Sequence, residues 1–206
     1  MSGLPTSPDL APIPRLVVAS KNPDKIMEIE AILVREGVVG EIVRGLSWAD
    51  VDETEVTLEG NALLKARAVA TATGLPALAD DTGLEVAALD GEPGVHTARF
   101  AGPHASYQDN VEKMLAVLDG MEDRRATFRS VVAIVWPSGA ELTAEGRLEG
   151  TIAKRARGSF GFGYDPIFEV AGSTLGEIGP EAKAAMSHRA RALTALVKLL
   201  GKDPVR

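Results

Sequence analysis

Ala77-Leu78-Ala79-Asp80-Asp81-Thr82-Gly83-Leu84-Glu85-Val86 is the stretch whose reading decides how the chain is organised. Pro76 to Ala79 reads as a buried strand, and Leu84 to Leu89 as a second one. Adjacent carboxylates between two strands repel each other and lower strand propensity. A hard divalent cation would compensate, because Mg²⁺ takes one or two carboxylates, keeps several waters and accepts phosphate oxygens. The plainer reading is a hairpin turn, since Asp and Gly are ordinary turn residues. On this stretch alone the turn is favoured, and the rest of the chain has to decide.

Upstream, Leu16 to Ala19 forms a short apolar strand. Asn22-Pro23 then supplies a helix N-cap and a first helical residue, and Ile26, Ile29 and Leu33 follow at helical spacing. Glu41 to Arg44 is a candidate strand. Thr57 caps a second helix with Ala62, Ala66, Val69 and Ala70 on one face. Downstream, Ser106 and Asp109 have capping-box spacing and open a helix with Tyr107, Val111, Met114, Leu115 and Leu118 facing inward. Phe128 to Trp136 is rich in strand formers. Glu141 to Ala156 reads as a longer strand, bent at Gly146 and Gly150. Gly158 to Phe168 is a glycine- and aromatic-rich loop, Gly179-Pro180 starts a short helical turn, and Ser187 caps the last helix. Irregular alternation of helices and strands predicts an α/β protein with a mixed sheet.

The 206 residues suffice for one sizeable domain with a real core. Residues 1–14 hold four prolines and little to bury, so they are expected to form a flexible tail, with the single domain running over 15–206. Cysteine is absent, which excludes disulfides, thiolate metal sites and a Cys nucleophile. No segment approaches the roughly 18 apolar residues of a membrane span, and the N-terminus does not read as a secretory signal. A cytoplasmic protein is therefore expected. A net charge of −7 argues against a broad nucleic-acid surface but leaves room for one small anion. Aromatics make up only 4% of the chain, so Phe160, Phe162 and Tyr164 within five residues are an unusual concentration.

Four segments could carry chemistry. Ser20-Lys21-Asn22-Pro23-Asp24-Lys25 joins a strand to a helix N-terminus, where free N–H groups suit phosphate; a plain Asn cap with solvated lysines is the competing reading. Asp52-Glu53-Thr54-Glu55 offers a further metal carboxylate at Glu53, and Lys65 shares a helical face with Asn61. The alternative there is an acidic loop with a helix turn complementing its dipole. Gly158 to Pro166 combines close backbone approach with rings that can stack on a flat base, and Asp165 can accept from a base edge or sugar. Its competing reading is a turn with core aromatics. Lys183 to Arg189 gathers Lys, Ser, His and Arg at another helix N-terminus, offering donors to a carbonyl oxygen. A Ser cap with a solvated basic turn competes. A Ser187 nucleophile ranks low without an oxyanion motif, and His96 and His104 read as exposed loop residues.

Taken in order, five blocks resemble the inosine triphosphate pyrophosphatase family, the pyrophosphatases of non-canonical purine nucleoside triphosphates. They are Ser20-x-Asn22-x-x-Lys25-x-x-Glu28; Glu59-x-Asn61-Ala62-x-x-Lys65-Ala66; Ala79 to Leu84 continuing to Pro93-Gly94-Val95 and Ala98 to Gly102; Gly161 to Phe168; and Ser187-His188-Arg189. The match runs from about Leu16 to Leu200. The resemblance implies an elongated α/β fold, with a mixed sheet flanked by helices and a cleft between two lobes. It also implies a homodimer, and Mg²⁺-dependent hydrolysis of ITP, dITP and XTP to the monophosphate and pyrophosphate. By the same likeness, Asp81 would be the catalytic carboxylate and a metal contact, with Glu53 as the second metal ligand. Ser20, Lys21, Asn22, Pro23, Asp24 and Lys25 would hold the triphosphate, and Thr82 would touch substrate. Phe162 would stack on the base with Gly163, Tyr164 and Asp165 beside it. Lys183, His188 and Arg189 would complete a pocket for a 6-keto purine. The chain departs from the family at Leu58, where Phe is common, and at Gly60, where Glu is common and Glu59 could compensate. A non-catalytic nucleotide-binding protein, a serine hydrolase and a Maf-type pyrophosphatase of modified pyrimidine nucleotides are the competing functions; the Ser187-His188-Arg189 block argues against the last.

Overall fold

A computed structural model describes residues 13–201. Residues 1–12 of the expected tail lie outside the described residues. Ile13 and Pro14 do not belong to a tail: they open the first strand, and Ile13 is buried in the core.

The elements run β1 (Ile13–Val18), α1 (Pro23–Glu36), β2 (Val39–Ile42), α2 (Leu58–Thr73), β3 (Ala77–Val86), β4 (Pro93–Gly94), α3 (Tyr107–Val117), β5 (Arg125–Val135), β6 (Glu141–Ile152), β7 (Phe168–Val170), β8 (Ser173–Thr174), α4 (Pro180–Met186) and α5 (His188–Leu199). Helix starts follow the caps read from sequence. Asn22 Oδ1 accepts from the N–H groups of Asp24 and Lys25, and Thr57 accepts from Gly60. Ser106 and Asp109 form a reciprocal capping box, and Ser187 accepts from Ala190. Gly37 ends α1 in the left-handed region at φ 60°, where glycine carries no Cβ penalty.

The strands form one eight-stranded mixed sheet in the order β2-β1-β3-β5-β6-β7-β8, with β4 paired to β3. β1 runs parallel to β2 and β3, and the other pairs are antiparallel. The main correction to the sequence reading falls at the centre of this sheet. Asp80 and Asp81 are not in a turn. β3 runs unbroken through them, with Asp80 opposite Val132 and Asp81 opposite Val131 on β5. Leu84 to Val86 continue the same strand, and Ala87–Leu89 is a 3-10 turn rather than a second strand. Strand alternation removes the supposed repulsion, because successive side chains point to opposite faces.

Helices cover both faces. Leu78 packs with Ile29, Ile32 and Leu33 of α1 and Leu193, Leu196 and Val197 of α5. Ala77 and Ala79, on the other face, pack with Ala62, Ala66 and Val69 of α2. A further apolar cluster joins α3 to Phe128, Leu148, Ile167 and Phe168 toward the far side of the sheet. Complete burial of a side chain such as Leu78 or Ile134 contributes about 1.5–3 kcal/mol. Gly146 and Gly150 do not bend β6, which pairs with β5 through both positions. Gly146 is instead a close-approach site: a Cβ there would lie 2.2 Å from the His188 carbonyl oxygen on α5.

Candidate active site

The alternation of β3 delivers its two aspartates to two different environments. Asp80 faces α1 and α5. Its Oδ2 receives Lys25 Nζ at 3.1 Å, Arg189 Nε at 3.1 Å and the Thr82 hydroxyl at 3.2 Å. Its Oδ1 is buried with no hydrogen-bond partner among the described residues. Burial alone would raise its pKa, but Lys25, Arg189 and Lys65 outweigh burial and hold the carboxyl far below the usual range. Asp80 is a firmly ionised anchor for cations.

Asp81 faces α2. Lys65 Nζ lies 3.1 Å from its Oδ1, and Asn61 Nδ2 donates to its Oδ2 at 3.3 Å. These donors stand at i and i+4 on α2, as their shared helical face predicts. The same Lys65 ammonium binds Glu53 Oε1 at 2.8 Å. Burial raises the pKa of Asp81, the charge of Glu53 adds to the rise, and Lys65 and Lys25 oppose it without reversing it. Glu53 goes the other way: burial pushes it up, but Lys65, Lys25 and Arg99 together hold it below its usual value. Asp81 is thus the β3 carboxylate with the greater affinity for a proton.

Glu53 reaches this face from the irregular segment 43–57 between β2 and α2. Side chains fix that segment: Lys21 pairs with Asp50, and the Glu55 N–H donates to Asn61 Oδ1 at 3.0 Å. Two carboxylates, Glu53 and Asp81, therefore converge on one ammonium. A donor set of two carboxylates that already share a cation fits a hard divalent ion completed by water and phosphate oxygens. Among the described residues no cluster of three or more acidic, His or Cys side chains exists to hold a metal without such help.

The start of α1 forms a second wall. Ser20 Oγ accepts from the Asn22 N–H at 3.2 Å, and Asn22 Nδ2 donates to the Tyr107 hydroxyl at 2.8 Å. Lys21 and Pro23 are exposed, whereas Lys25 is turned inward to Asp80. Asp24 stands in the first turn, 3.4 Å from the Tyr107 hydroxyl.

The third wall is the loop 158–167 with α4 and the start of α5. Asp165 is buried, accepts from the Phe162 N–H at 2.7 Å and pairs with Lys183 at 2.6 Å. Burial raises its pKa, and Lys183 opposes the rise. Lys183 also reaches Glu28 on α1 at 2.7 Å, and Arg189 contacts the same carboxylate. Both cations press on the Phe162 ring, at 4.7 Å and 5.6 Å from its centroid. Glu28, Phe162 and Lys183 line a cavity of about 350 Å³, within the size range of small-ligand sites.

Several residues singled out in the sequence are therefore brought together: Lys25, Glu53, Asp81, Thr82, Phe162, Asp165, Lys183 and Arg189. Two are differently placed. The Tyr164 ring is buried in the core, its hydroxyl donates to the Thr97 carbonyl, and its own carbonyl accepts from the N–H groups of Ile167 and Phe168, so its side chain does not face a ligand. His188 is buried with its ring stacked on Phe128 at 4.5 Å. Burial, with the charges of Arg189 and Lys183, pushes its pKa well below the ordinary value, so it is neutral. Glu59 does not replace the acid missing at Gly60; it accepts from Thr143 instead. Ser187 Oγ is occupied in capping α5, and His96 and His104 are exposed.

Sequence reasoning put Glu28, Asn61, Lys65 and Arg99 in its motif blocks without assigning them a role, and read Tyr107 as a core residue. For Glu28 a signal exists, because it stands one turn after Lys25 on the same face of α1. For Arg99, which lies 3.4 Å from Glu53, and for Tyr107 the signal is tertiary only.

Fold and site together define an α/β protein that gathers Lys25, Lys65 and Arg189 around two separated carboxylates, an arrangement suited to a polyphosphate ligand. The sequence profile of the Ham1 family matches residues 16–199. The chain belongs to the Ham1 family. It is 49% identical to a dITP/XTP pyrophosphatase of Caulobacter vibrioides, over 88% of this chain and 95% of the relative. It is 47% identical to that of Geobacter sulfurreducens, over 91% and 96%. Among solved structures, a HAM1 protein from Coxiella burnetii superposes with a TM-score of 0.82 at 40% identity, covering 91% of this chain and 98% of that one.

Proposed function

We propose that this chain is a nucleoside triphosphate pyrophosphatase that hydrolyses ITP, dITP and XTP to the monophosphate and pyrophosphate with Mg²⁺. The observation that carries this reading is the convergence of Asp81, its proton affinity raised, and Glu53 on a single cation position. Relatives bearing the dITP/XTP pyrophosphatase name, matched over nearly their whole length, support the substrate class.

Glu53 and Asp81 would hold the metal, whose chemistry is to neutralise phosphate oxygens and lower the pKa of water. Asp81, the β3 carboxylate on the side of the metal position, takes a proton from the attacking water. The bond between the α- and β-phosphates breaks, and Lys65 and Lys25 neutralise charge on the departing pyrophosphate. Ser20, Lys21 and Asn22, with Asp24 and the positive end of α1 that begins at Pro23, hold the triphosphate at the helix start. Thr82, hydrogen-bonded to Asp80, lies beside them. Phe162 stacks on the base, with Gly163, Asp165 and the Tyr164 backbone alongside. Lys183 and Arg189 favour a 6-keto purine, because adenine's amino group would leave their donors unpaired; His188, packed on Phe128, supports the pocket. A single domain over 15–206 and a homodimer, acting in the cytoplasm on free nucleotides, complete the proposal; β1 extends that domain to Ile13.

A nucleotide panel tests the proposal. ITP, dITP and XTP with Mg²⁺ release pyrophosphate, EDTA abolishes the release, and ATP is a poor substrate. Release of inorganic phosphate instead, or equal rates on ATP, would overturn it.

A further inference from the structure

One residue touches both ends of the proposed nucleotide site. Tyr107 is the first residue of α3, held in place by the Ser106–Asp109 capping box. Its hydroxyl accepts from Asn22 Nδ2 at 2.8 Å and lies 3.4 Å from Asp24 Oδ2, both at the helix start that faces phosphate. Its ring lies 5.8 Å from the Phe162 ring, tilted by 36°. α3 packs in the apolar cluster with Phe128 and Phe168, whereas α1 packs in the cluster under Leu78. Tyr107 therefore joins two separately packed parts of the molecule across the cleft.

We propose that Tyr107 is a substrate-positioning residue that spans the cleft between the phosphate anchor and the base anchor and forms the wall facing the sugar. The inference rests on the reading of Asn22 as a phosphate contact and Phe162 as the base platform. A nucleotide held at both anchors must pass its sugar between them, and Tyr107 occupies that interval. Of the three groups against the Phe162 ring, it is also the one able to yield. Lys183 and Arg189 are 5% and 1% exposed and pinned by carboxylates, whereas Tyr107 is 44% exposed and is held mainly by a neutral amide. It orients Asn22 through the hydroxyl and follows the base platform through the ring.

These two contacts are separable. Tyr107→Phe removes the hydroxyl and keeps the ring; Tyr107→Ala removes both. Inorganic tripolyphosphate, used as an inhibitor, reports on the phosphate anchor alone. Loss of one net hydrogen bond corresponds to about a threefold to tenfold weaker affinity. We expect tripolyphosphate inhibition to weaken about threefold in both variants. The KM for ITP rises about threefold in Tyr107→Phe and about tenfold or more in Tyr107→Ala, with kcat changed by less than about threefold in both. Phe162→Ala, run in parallel, tests the underlying reading. A raised KM in Phe162→Ala with an unchanged KM in Tyr107→Ala overturns the role of Tyr107 and keeps the platform. An unchanged KM in Phe162→Ala overturns the platform, and the spanning role with it. A fall in kcat with constant KM in the Tyr107 variants would also contradict the proposal.

Discussion

Arg189→Ala removes the most deeply buried cation of the site, and its cost can be worked from the contacts. The guanidinium is 1% exposed and serves Asp80 at 3.1 Å, Thr82 at 3.3 Å and Glu28. Breaking a buried ion pair by removing one partner costs about 3–5 kcal/mol. Here Lys25 still reaches Asp80 and Lys183 still reaches Glu28, so the low end applies, about 3 kcal/mol. For a chain of this length that lowers Tm by about 6–12 °C. The loss depends on pH with a definite sign. The folded pKa of Asp80 is depressed, so its pairing contributes fully above the unfolded carboxyl value, about 3.9, and is lost as pH falls below it. The stability difference between wild type and variant should therefore be constant near neutrality and shrink below about pH 4. Thermal and denaturant unfolding followed by circular dichroism at pH 7, 5 and 3 measure both features. A Tm within about 2 °C of wild type, or a difference that stays constant into acid, would refute the reasoning.

The same variant should narrow the preference for ITP over ATP in kcat/KM; an unchanged ratio would remove Arg189 from base selection. Gly146→Ala should destabilise by about 1–3 kcal/mol or more, because the added Cβ meets the α5 backbone at 2.2–2.3 Å; unchanged unfolding would show that α5 can move off β6 freely. Ser187→Ala should cost about 1 kcal/mol through the lost cap while pyrophosphate release persists. Loss of turnover in a folded Ser187→Ala protein, with metal-independent ester hydrolysis in the wild type, would favour a serine hydrolase instead.

Local chemistry was legible wherever it is local. Asn22, Thr57, Ser106 and Ser187 cap the helices that their neighbours announce, because a cap and its first turn lie within four residues of each other. The apolar faces of α1, α2 and α5 follow from helical spacing. Asp80-Asp81 was misread as a turn because two charges interrupt the apolar pattern that marks a central strand. What makes the strand possible is remote: Lys25 and Arg189 serve one face, and Asn61 and Lys65 the other. β2 lies two residues earlier than its sequence signal, at Val39–Ile42, where pairing with β1 sets its limits. The glycines of β6 read as bends, although Gly146 is needed because α5 packs on the strand and Gly150 because Phe168 and Glu169 of β7 lie against it. Helical spacing puts Tyr107 in the core, but it is 44% exposed at the first turn of α3, and its partners Asn22 and Phe162 are brought to it only by the fold.

β3 presents two adjacent aspartates to opposite faces, where Asp80 anchors cations and Asp81 is proposed to accept the proton. Pyrophosphate release from ITP by Asp81→Asn, with ITP binding and circular dichroism measured on the same preparation, tests it most directly. The account predicts that turnover falls at least about a hundredfold, while the fold and nucleotide binding survive. Undiminished pyrophosphate release by Asp81→Asn would contradict it.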